Sequence, residues 1–378
     1  MDDMTTINVT NLTKRFGTTR AVDELSFSAQ LQNRQPEAIN SERSAAMRIE
    51  RSAISVSWIP SDSLRGPLKL PWAGGIMHYD PPPPLVLGDL EAMWRRGEFR
   101  FANRLGAYID VEDGTIVRAG YTGGLLMGLT PVTVGPLRLL LPTKGEPEIR
   151  LEPRVSGDEA TFVQTAGGRP LFSVVKPSKN VPFVVTRPFT IWTTIELTIR
   201  ADGSSSQHLA GASLFPRHWL YDDAGELVEK SALTRVQLWS ATSYGRHTPW
   251  GGEDREVAVS GPESALERSL AEQMMRGDEH PVVRRAPAGA FVLRQGEPGR
   301  SVLLVLDGNL EVRVDGRRVG DLGPGAVIGE RSGLEAGCRT ADVVATTEVR
   351  LAELSPHAID AAGLRDLVSA HNREGALG

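Results

Sequence analysis

The chain has 378 residues, with 42 Lys and Arg against 47 Asp and Glu and a single cysteine. A formal charge of −5 excludes the basic surplus of a general nucleic-acid binder. The lone cysteine excludes a disulfide framework and a cysteine-based zinc site, and fits the cytoplasm. At roughly 150 residues per domain the length predicts two or three domains. With 39 glycines, 25 prolines and 6% aromatics, the composition points to short strands and many turns: an α+β chain, mainly β.

The opening MDDMTTINVT is polar and acidic, unlike a secretory signal. Residues 7–30, INVTNLTKRFGTTRAVDELSFSAQ, resemble the opening strands of an ABC transporter ATP-binding subunit. In that family the aromatic of a K-x-F/Y-G segment stacks on adenine, which would place Phe16, ahead of Gly17, in that role. The resemblance stops where a phosphate loop should follow. No G-x-x-x-x-G-K-[ST] and no L-S-G-G-Q occurs, so no backbone cradle and lysine hold the phosphates. Residues 1–46 are therefore expected to be a fused or misannotated leader with a polar linker rather than a functional domain. Met47 is a candidate native start.

Residues 47–258 are predicted to form a β-rich domain of unknown function. Gly106–Val111, Asp113-Gly114 and Thr115–Gly120 read as a hairpin, because Asp-Gly supplies the positive φ of a two-residue turn. Thr190–Ile199 alternates around Ile191, Thr193, Ile195, Leu197 and Ile199 before Asp202-Gly203. Trp219–Tyr221 and Leu227–Glu229 flank another turn at Asp223–Gly225. Helical patterning is limited to Leu87–Arg96, after Pro81–Pro84, and to Thr234–Tyr244; these are covering helices. The longest uncharged run, Ala119–Leu137, matches a membrane span in length but holds five glycines and two prolines. It is read as strands and turns, with no membrane span.

Polar clusters in this domain are His78-Tyr79-Asp80, Arg217-His218 through Asp222, and Arg246-His247 through Trp250 with Glu253 and Asp254. A histidine beside a carboxylate can act as a general base, and several can hold a metal. No two histidines lie at i,i+2 or i,i+4, and neither G-x-S-x-G nor H-E-x-x-H occurs. The histidines are read as hydrogen-bonded strand-edge residues, with no catalytic residue and no metal ligand assigned. Trp58, Trp72, Trp219 and Trp250 are read as core in preference to a pocket.

Residues 259–378 begin with a predicted helix Pro262–Arg276, Pro262 near its start, Gly277 at its end, and Leu266, Leu270, Met274 and Met275 as its apolar stripe. Short strands then alternate with glycine turns: Phe291–Leu293, Ser301–Leu306, Leu310–Val314, Arg317–Leu322, Val343–Ala345 and Val349–Leu354. Leu310, Val312 and Val314 point one way and Glu311 and Arg313 the other, as in a half-buried strand. This spacing predicts a small barrel or jelly roll closed by a helix over Pro356–Arg373.

Within it, Ile328–Ala341 reads IGERSGLEAGCRTA. This resembles the phosphate-binding cassette of cyclic nucleotide-binding domains, roughly F-G-E-x-A-L, a short helix and loop, then R-x-A. The separation of Glu330 from Arg339 matches the cAMP-dependent kinase form, and Gly289, Gly296, Gly308 and Gly325 fall where the family keeps turn glycines. More loosely, residues 47–378 resemble uncharacterised actinobacterial proteins that pair such a domain with an N-terminal domain of unknown activity. The resemblance implies cAMP or cGMP as ligand and no cofactor. Arg339 would meet both exocyclic oxygens of the phosphate with its planar guanidinium. Backbone amides of the turn from Gly329 through Glu330, Arg331 and Ser332 would add donors. Glu330 would accept the ribose 2′-hydroxyl, and Gly329 would let the backbone approach the sugar-phosphate. Thr340 carries the hydroxyl that can favour guanine in this family, so cAMP against cGMP stays open, with cAMP preferred.

The sequence departs from the family at Ile328, where an aromatic is usual, and at Arg331-Ser332-Gly333, which displaces a small alanine. The competing reading pairs Arg339 with Glu330 on a barrel that has lost its ligand. Cys338 is read as a small spacer, and Leu364, Leu367 and Val368 as candidates for an apolar cap over the base or, equally, as ordinary packing residues. The chain ends too soon after its last strand for a helix-turn-helix, and no kinase, cyclase or channel segment is visible. The expected function is a cytoplasmic, non-enzymatic sensor that transmits ligand binding through Pro262–Arg276 to the middle domain or a partner. A homo-oligomer or a protein partner is left open, and nucleic acid is excluded. The alternative is a nucleotide-gated enzyme with an active site in the middle domain, which predicts a deep pocket holding His218 or His247 beside a carboxylate.

Overall fold

The structure, a computed structural model, describes residues 4–16, 19–32, 46–60, 63, 80–134, 136–142, 144–169, 173–177, 184–277, 280–335, 337–359 and 361–375. Trp72, His78 and Tyr79, named above, lie outside the described residues. The chain divides into two compact units, Met1–Ala45 and Ala46–Gly378. In the first, Met4–Phe16 and Thr19–Gln32 form an antiparallel hairpin whose register runs from Met4 opposite Gln32 to Phe16 opposite Thr19.

The second unit opens with a β-sandwich. One antiparallel sheet runs Val259–Ser260, Leu227–Ser231, Arg217–Tyr221, Met47–Trp58, Phe101–Glu112, Thr115–Met127 in spatial order. The other runs Arg154–Ser156, Glu159–Arg169, Ile191–Arg200, Ser205–Ala212. Ile49, Leu105 and Ile109 from the first sheet share a core with Phe162, Ile195 and Leu197 from the second. The hairpin at Asp113-Gly114 forms because both residues take positive φ, 49° and 76°. Ala119–Leu137 is occupied by strands Thr115–Met127 and Leu129–Val134 and the start of Leu137–Pro142, and no helix among the described residues is long and apolar enough to cross a membrane.

Helix Leu90–Arg96 starts three residues later than the sequence suggests, because Asp89 caps it by accepting from the Glu91 and Ala92 amides. Leu87 is instead held extended, its N–H bonded to the Gly225 carbonyl at 2.6 Å. Helix Val236–Thr242 packs Val236 and Trp239 with Phe189, Ile191 and Phe215. This second cover explains why Ile191–Ile195 is buried on both faces and the expected alternation starts only beyond it.

Residues 282–354 form two four-stranded antiparallel sheets, an arrangement consistent with a jelly roll. One orders Val282–Ala286, Val349–Leu354, Val302–Asp307, Val327–Ile328; the other Phe291–Leu293, Asp342–Ala345, Leu310–Val314, Arg317–Leu322. Val302–Asp307 is buried throughout. Leu303 and Val305 face the interior between the sheets, while Leu304 and Leu306 pack against the helices that flank it. Those helices are Ala265–Arg276, hereafter the leading helix, and Ala361–Gly375, the C-terminal helix. The leading helix begins after Ser264, which with Glu267 forms a capping box; Pro262 lies outside it. Leu270 and Met274 are buried as expected, but Met275 is 41% exposed. The closing segment is a 3₁₀ turn, Pro356–Ala358, followed by the C-terminal helix, rather than one helix from Pro356.

The sandwich and the following domain are bonded through buried polar groups. The Arg217 guanidinium donates to the Leu306 carbonyl, the Thr234 amide to the Asp307 carboxylate at 2.8 Å, and the Gly308 amide to the Ala232 carbonyl at 2.7 Å.

Candidate ligand-binding site

Strand Val327–Ile328 delivers the chain to Gly329, which takes φ 80° and turns into the short helix Glu330–Glu335. A Cβ on Gly329 would stand 2.3 Å from Arg339 Nη1 and 2.9 Å from the Ser301 carbonyl oxygen. The close neighbour that glycine accommodates is thus the Arg339 side chain. On the other side, a Cβ on Gly299 would lie 2.4 Å from Arg339 Nε. Two glycines therefore frame one guanidinium.

Arg339 is 7% exposed. Its Nη1 donates to the Ser301 carbonyl at 3.0 Å, the Gly329 carbonyl at 3.1 Å and the buried Ser332 hydroxyl at 2.6 Å. Its Nη2 donates to the Ser301 hydroxyl at 3.1 Å. Nε–H and one Nη2–H make no hydrogen bond to a described residue. Burial lowers the guanidinium pKa from its ordinary value, opposed by Glu353 and Glu330. The group stays cationic at neutral pH.

All six residues singled out in the sequence, Gly329, Glu330, Arg331, Ser332, Arg339 and Thr340, border one cavity of about 510 Å³. That volume falls in the range of small-molecule sites, roughly 300–1,000 Å³. Val312, Val314 and Val319 supply an apolar wall and His371 and Val368 of the C-terminal helix close another side. Strand Leu310–Val314 divides its apolar face: Leu310 is in the core, while Val312 and Val314 reach the cavity. Glu330 and Arg339 make no ion pair with each other; the Glu330 carboxylate accepts from His371 Nδ1 at 3.1 Å.

The expected apolar cap is corrected in part. Leu364 and Leu367 are fully buried against Leu270 and Met274 of the leading helix, and only Val368 reaches the cavity. His371, three positions past Val368, is polar and so falls outside an apolar pattern. Ser301, which holds both ends of the guanidinium fork, had no signal in the sequence beyond following a turn.

The middle-domain histidines are placed differently from the catalytic expectation. His218 is fully buried, with Nδ1 2.7 Å from the Ser57 hydroxyl and Nε2 2.8 Å from the Ser213 carbonyl. A carbonyl only accepts, so Nε2 carries the proton and Nδ1 accepts from Ser57. Burial pushes its pKa down to about 4, so the ring is neutral, and its bonds go to hydroxyl and carbonyl oxygens. His247 Nδ1 lies 2.7 Å from Glu253 Oε2 in a pair open to solvent. Asp254 instead accepts from Trp192 Nε1 at 2.8 Å. Trp58 and Trp219 are buried and meet edge to face at 5.3 Å, yet also border a second cavity of about 510 Å³. Trp250 is bonded elsewhere, to the Pro147 carbonyl. Neither His218 nor His247 borders either cavity. Among the described residues no group of three or more His, Cys, Asp or Glu is placed to hold a metal ion.

Residues 283–366 match the family model for the cyclic nucleotide-binding domain. Over 67 residues the chain is 42% identical to the cGMP-dependent protein kinase egl-4 of Caenorhabditis briggsae, covering 18% of this chain and 9% of the kinase. Over 77 residues it is 40% identical to a cyclic nucleotide-gated potassium channel of Mesorhizobium japonicum, covering 20% of this chain and 21% of the channel. The chain thus spans only a small part of the length of the curated relatives it matches. Among solved structures, the Thermus thermophilus catabolite activator protein is 27% identical, with a TM-score of 0.25 over 30% of this chain and 57% of that one. A cyclic nucleotide-binding domain from Methylobacillus flagellatus is 26% identical, with a TM-score of 0.21 over 29% of this chain and 70% of that one. The six residues singled out above and most of the two sheets around the cavity fall within a segment that is a cyclic nucleotide-binding domain, residues 283–366.

Proposed function

We propose that the chain is a non-enzymatic sensor that binds cAMP or cGMP in the cavity bordered by Gly329–Ser332, Arg339 and Thr340. The observation that carries this reading is the state of Arg339. Nη1 is fixed by three protein oxygens, while Nε–H and one Nη2–H, on the same edge of the guanidinium, keep no partner among the described residues. A guanidinium edge has the spacing for the two exocyclic oxygens of a cyclic phosphate, and Arg339, which borders the cavity, would match its single charge. Glu330 would accept the ribose 2′-hydroxyl, and the Thr340 hydroxyl, on the border of the same cavity, would meet the base.

Transmission would run through the leading helix. Glu267 Oε1 accepts from the Val327 amide at 3.2 Å, two residues ahead of Gly329, while its Oε2 accepts from the Ser264 amide at 2.9 Å. One residue earlier, Glu263 is paired with Lys230 of the sandwich. A ligand that shifts the cassette therefore acts on a helix already tied to the middle domain, and would bias one of two packings.

The test is calorimetry and thermal melting of the full chain with cAMP, cGMP and AMP. One cyclic nucleotide should bind and raise the melting temperature, and AMP should not; at a hundredfold excess over Kd the stabilisation is about 2.7 kcal/mol. Arg339→Ala and Arg339→Lys should both lose binding by roughly a hundredfold or more, since each charge-assisted bond contributes about 1.5–3 kcal/mol. Equal melting with and without every nucleotide, in a folded protein, overturns the proposal.

A further inference from the structure

We propose that His371 is a positioning residue for the ribose, holding Glu330 in the orientation that lets the site distinguish a ribonucleotide from its 2′-deoxy analogue. This rests on the cyclic nucleotide reading above and extends it to a residue outside the cassette. His371 lies on the C-terminal helix and Glu330 opens the cassette helix, 41 positions apart in sequence. Both border the same cavity, and His371 Nδ1 donates to Glu330 Oε1 at 3.1 Å.

The glutamate side chain has three rotatable bonds, and on its own it would have to be ordered each time it accepted a hydroxyl. The bond from His371 fixes that ordering in advance. A carboxylate carries two oxygens with about four acceptor sites, so the histidine occupies only part of its capacity and Oε2 remains for the sugar. Fixation from outside the cassette is what a short, glycine-containing helix, Glu330–Glu335, lacks within itself. The other end of the support is firm. Leu364 and Leu367, on the same helix as His371, are fully buried against Leu270 and Met274.

A role in discrimination separates from a role in merely docking the helix. If His371 acts by orienting Glu330, its removal weakens only the ligand that uses the carboxylate. If it merely holds the helix in place, both ligands weaken together.

The experiment measures Kd for cAMP and for 2′-deoxy-cAMP, and for the cGMP pair, on the full chain as wild type, His371→Ala and His371→Gln. Wild type should prefer the ribonucleotide. His371→Ala should reduce that preference by roughly fivefold to twentyfold, through weaker binding of the ribonucleotide at unchanged affinity for the deoxy form. His371→Gln, whose amide can still donate to Glu330, should recover most of it. An unchanged preference in His371→Ala, or an equal loss for both ligands, overturns the role of His371 and leaves the parent reading standing. A wild type that binds neither cyclic nucleotide overturns both.

Discussion

Lys230 and Glu263 form an ion pair at the junction of the sandwich and the cyclic nucleotide-binding domain, with side chains 2% and 7% exposed. The Lys230 ammonium also donates to the Pro324 carbonyl, and Glu263 Oε1 accepts from Arg268 Nη2 at 2.9 Å. Burial pulls the lysine pKa down. Burial also pushes the Glu263 carboxyl up, but Lys230 and Arg268 together outweigh it and hold it below its ordinary value. The partners are unequal: without Lys230 the carboxylate keeps Arg268, whereas without the carboxylate Lys230 keeps only a carbonyl. Glu263→Gln should therefore cost about 3–5 kcal/mol, and Lys230→Met less, about 1–3 kcal/mol. Urea denaturation of the two variants checks the order, which a simple pairwise view would make equal.

Gly329→Ala should be far more damaging than Gly289→Ala. Both glycines have φ near +80°, and both variants incur the left-handed strain, about 1–2 kcal/mol. A Cβ at Gly289 meets nothing within 4 Å, whereas at Gly329 it strikes Arg339 Nη1. Thermal melting should show the larger drop for Gly329→Ala, and nucleotide titration should show lost binding in that variant only.

Glu267→Ala removes the capping box and leaves the buried Val327 amide without its acceptor. The cap accounts for about 1 kcal/mol and the orphaned amide for about 1–3 kcal/mol. Glu267→Gln retains an acceptor oxygen and should recover part of the loss in chemical denaturation.

Acid should destabilise the fold through His218. Its folded pKa, about 4, lies below the ordinary 6.5, so the unfolded chain takes up the proton first. The stabilisation is complete above pH 6.5 and is lost as pH falls toward 4, by about 3 kcal/mol in all. Asp80 acts in the opposite sense. Burial raises its pKa to about 6 against the pull of Arg100, so its contribution is lost as pH rises through that value. The difference in stability between wild type and His218→Gln, measured from pH 7.5 to 4, cancels the Asp80 contribution and should show the loss in wild type alone.

The turns of this protein were legible in its sequence where a dipeptide demands positive φ. Asp113-Gly114 sits where expected, at φ 49° and 76°, and Asp315-Gly316 repeats the same geometry at 50° and 76°. The convergence of the six named residues was legible because they lie within one short stretch, and the structure brings them to one cavity. Helix ends were less so. Pro262 suggested a start that Ser264 and Glu267 set instead, although S-x-x-E was there to be read. Long-range partners were not legible. Nothing near Glu330 marks His371, and nothing near Lys230 marks Glu263, since carboxylates and cations are common and only the fold decides which of them meet. Burial on both faces likewise hid the phase of Ile191–Ile195.

Strand Val302–Asp307 is a party wall. One surface of it belongs to the core between the two sheets, the opposite one to the helices, and the Leu306 carbonyl and Asp307 carboxylate at its end are fastened to Arg217 and Thr234. The six residues together are consequently in contact with three neighbouring compartments, each side chain with its own. Cutting the polypeptide at residue 258 would take the Leu306 carbonyl, the Asp307 carboxylate and Glu263 away from Arg217, Thr234 and Lys230.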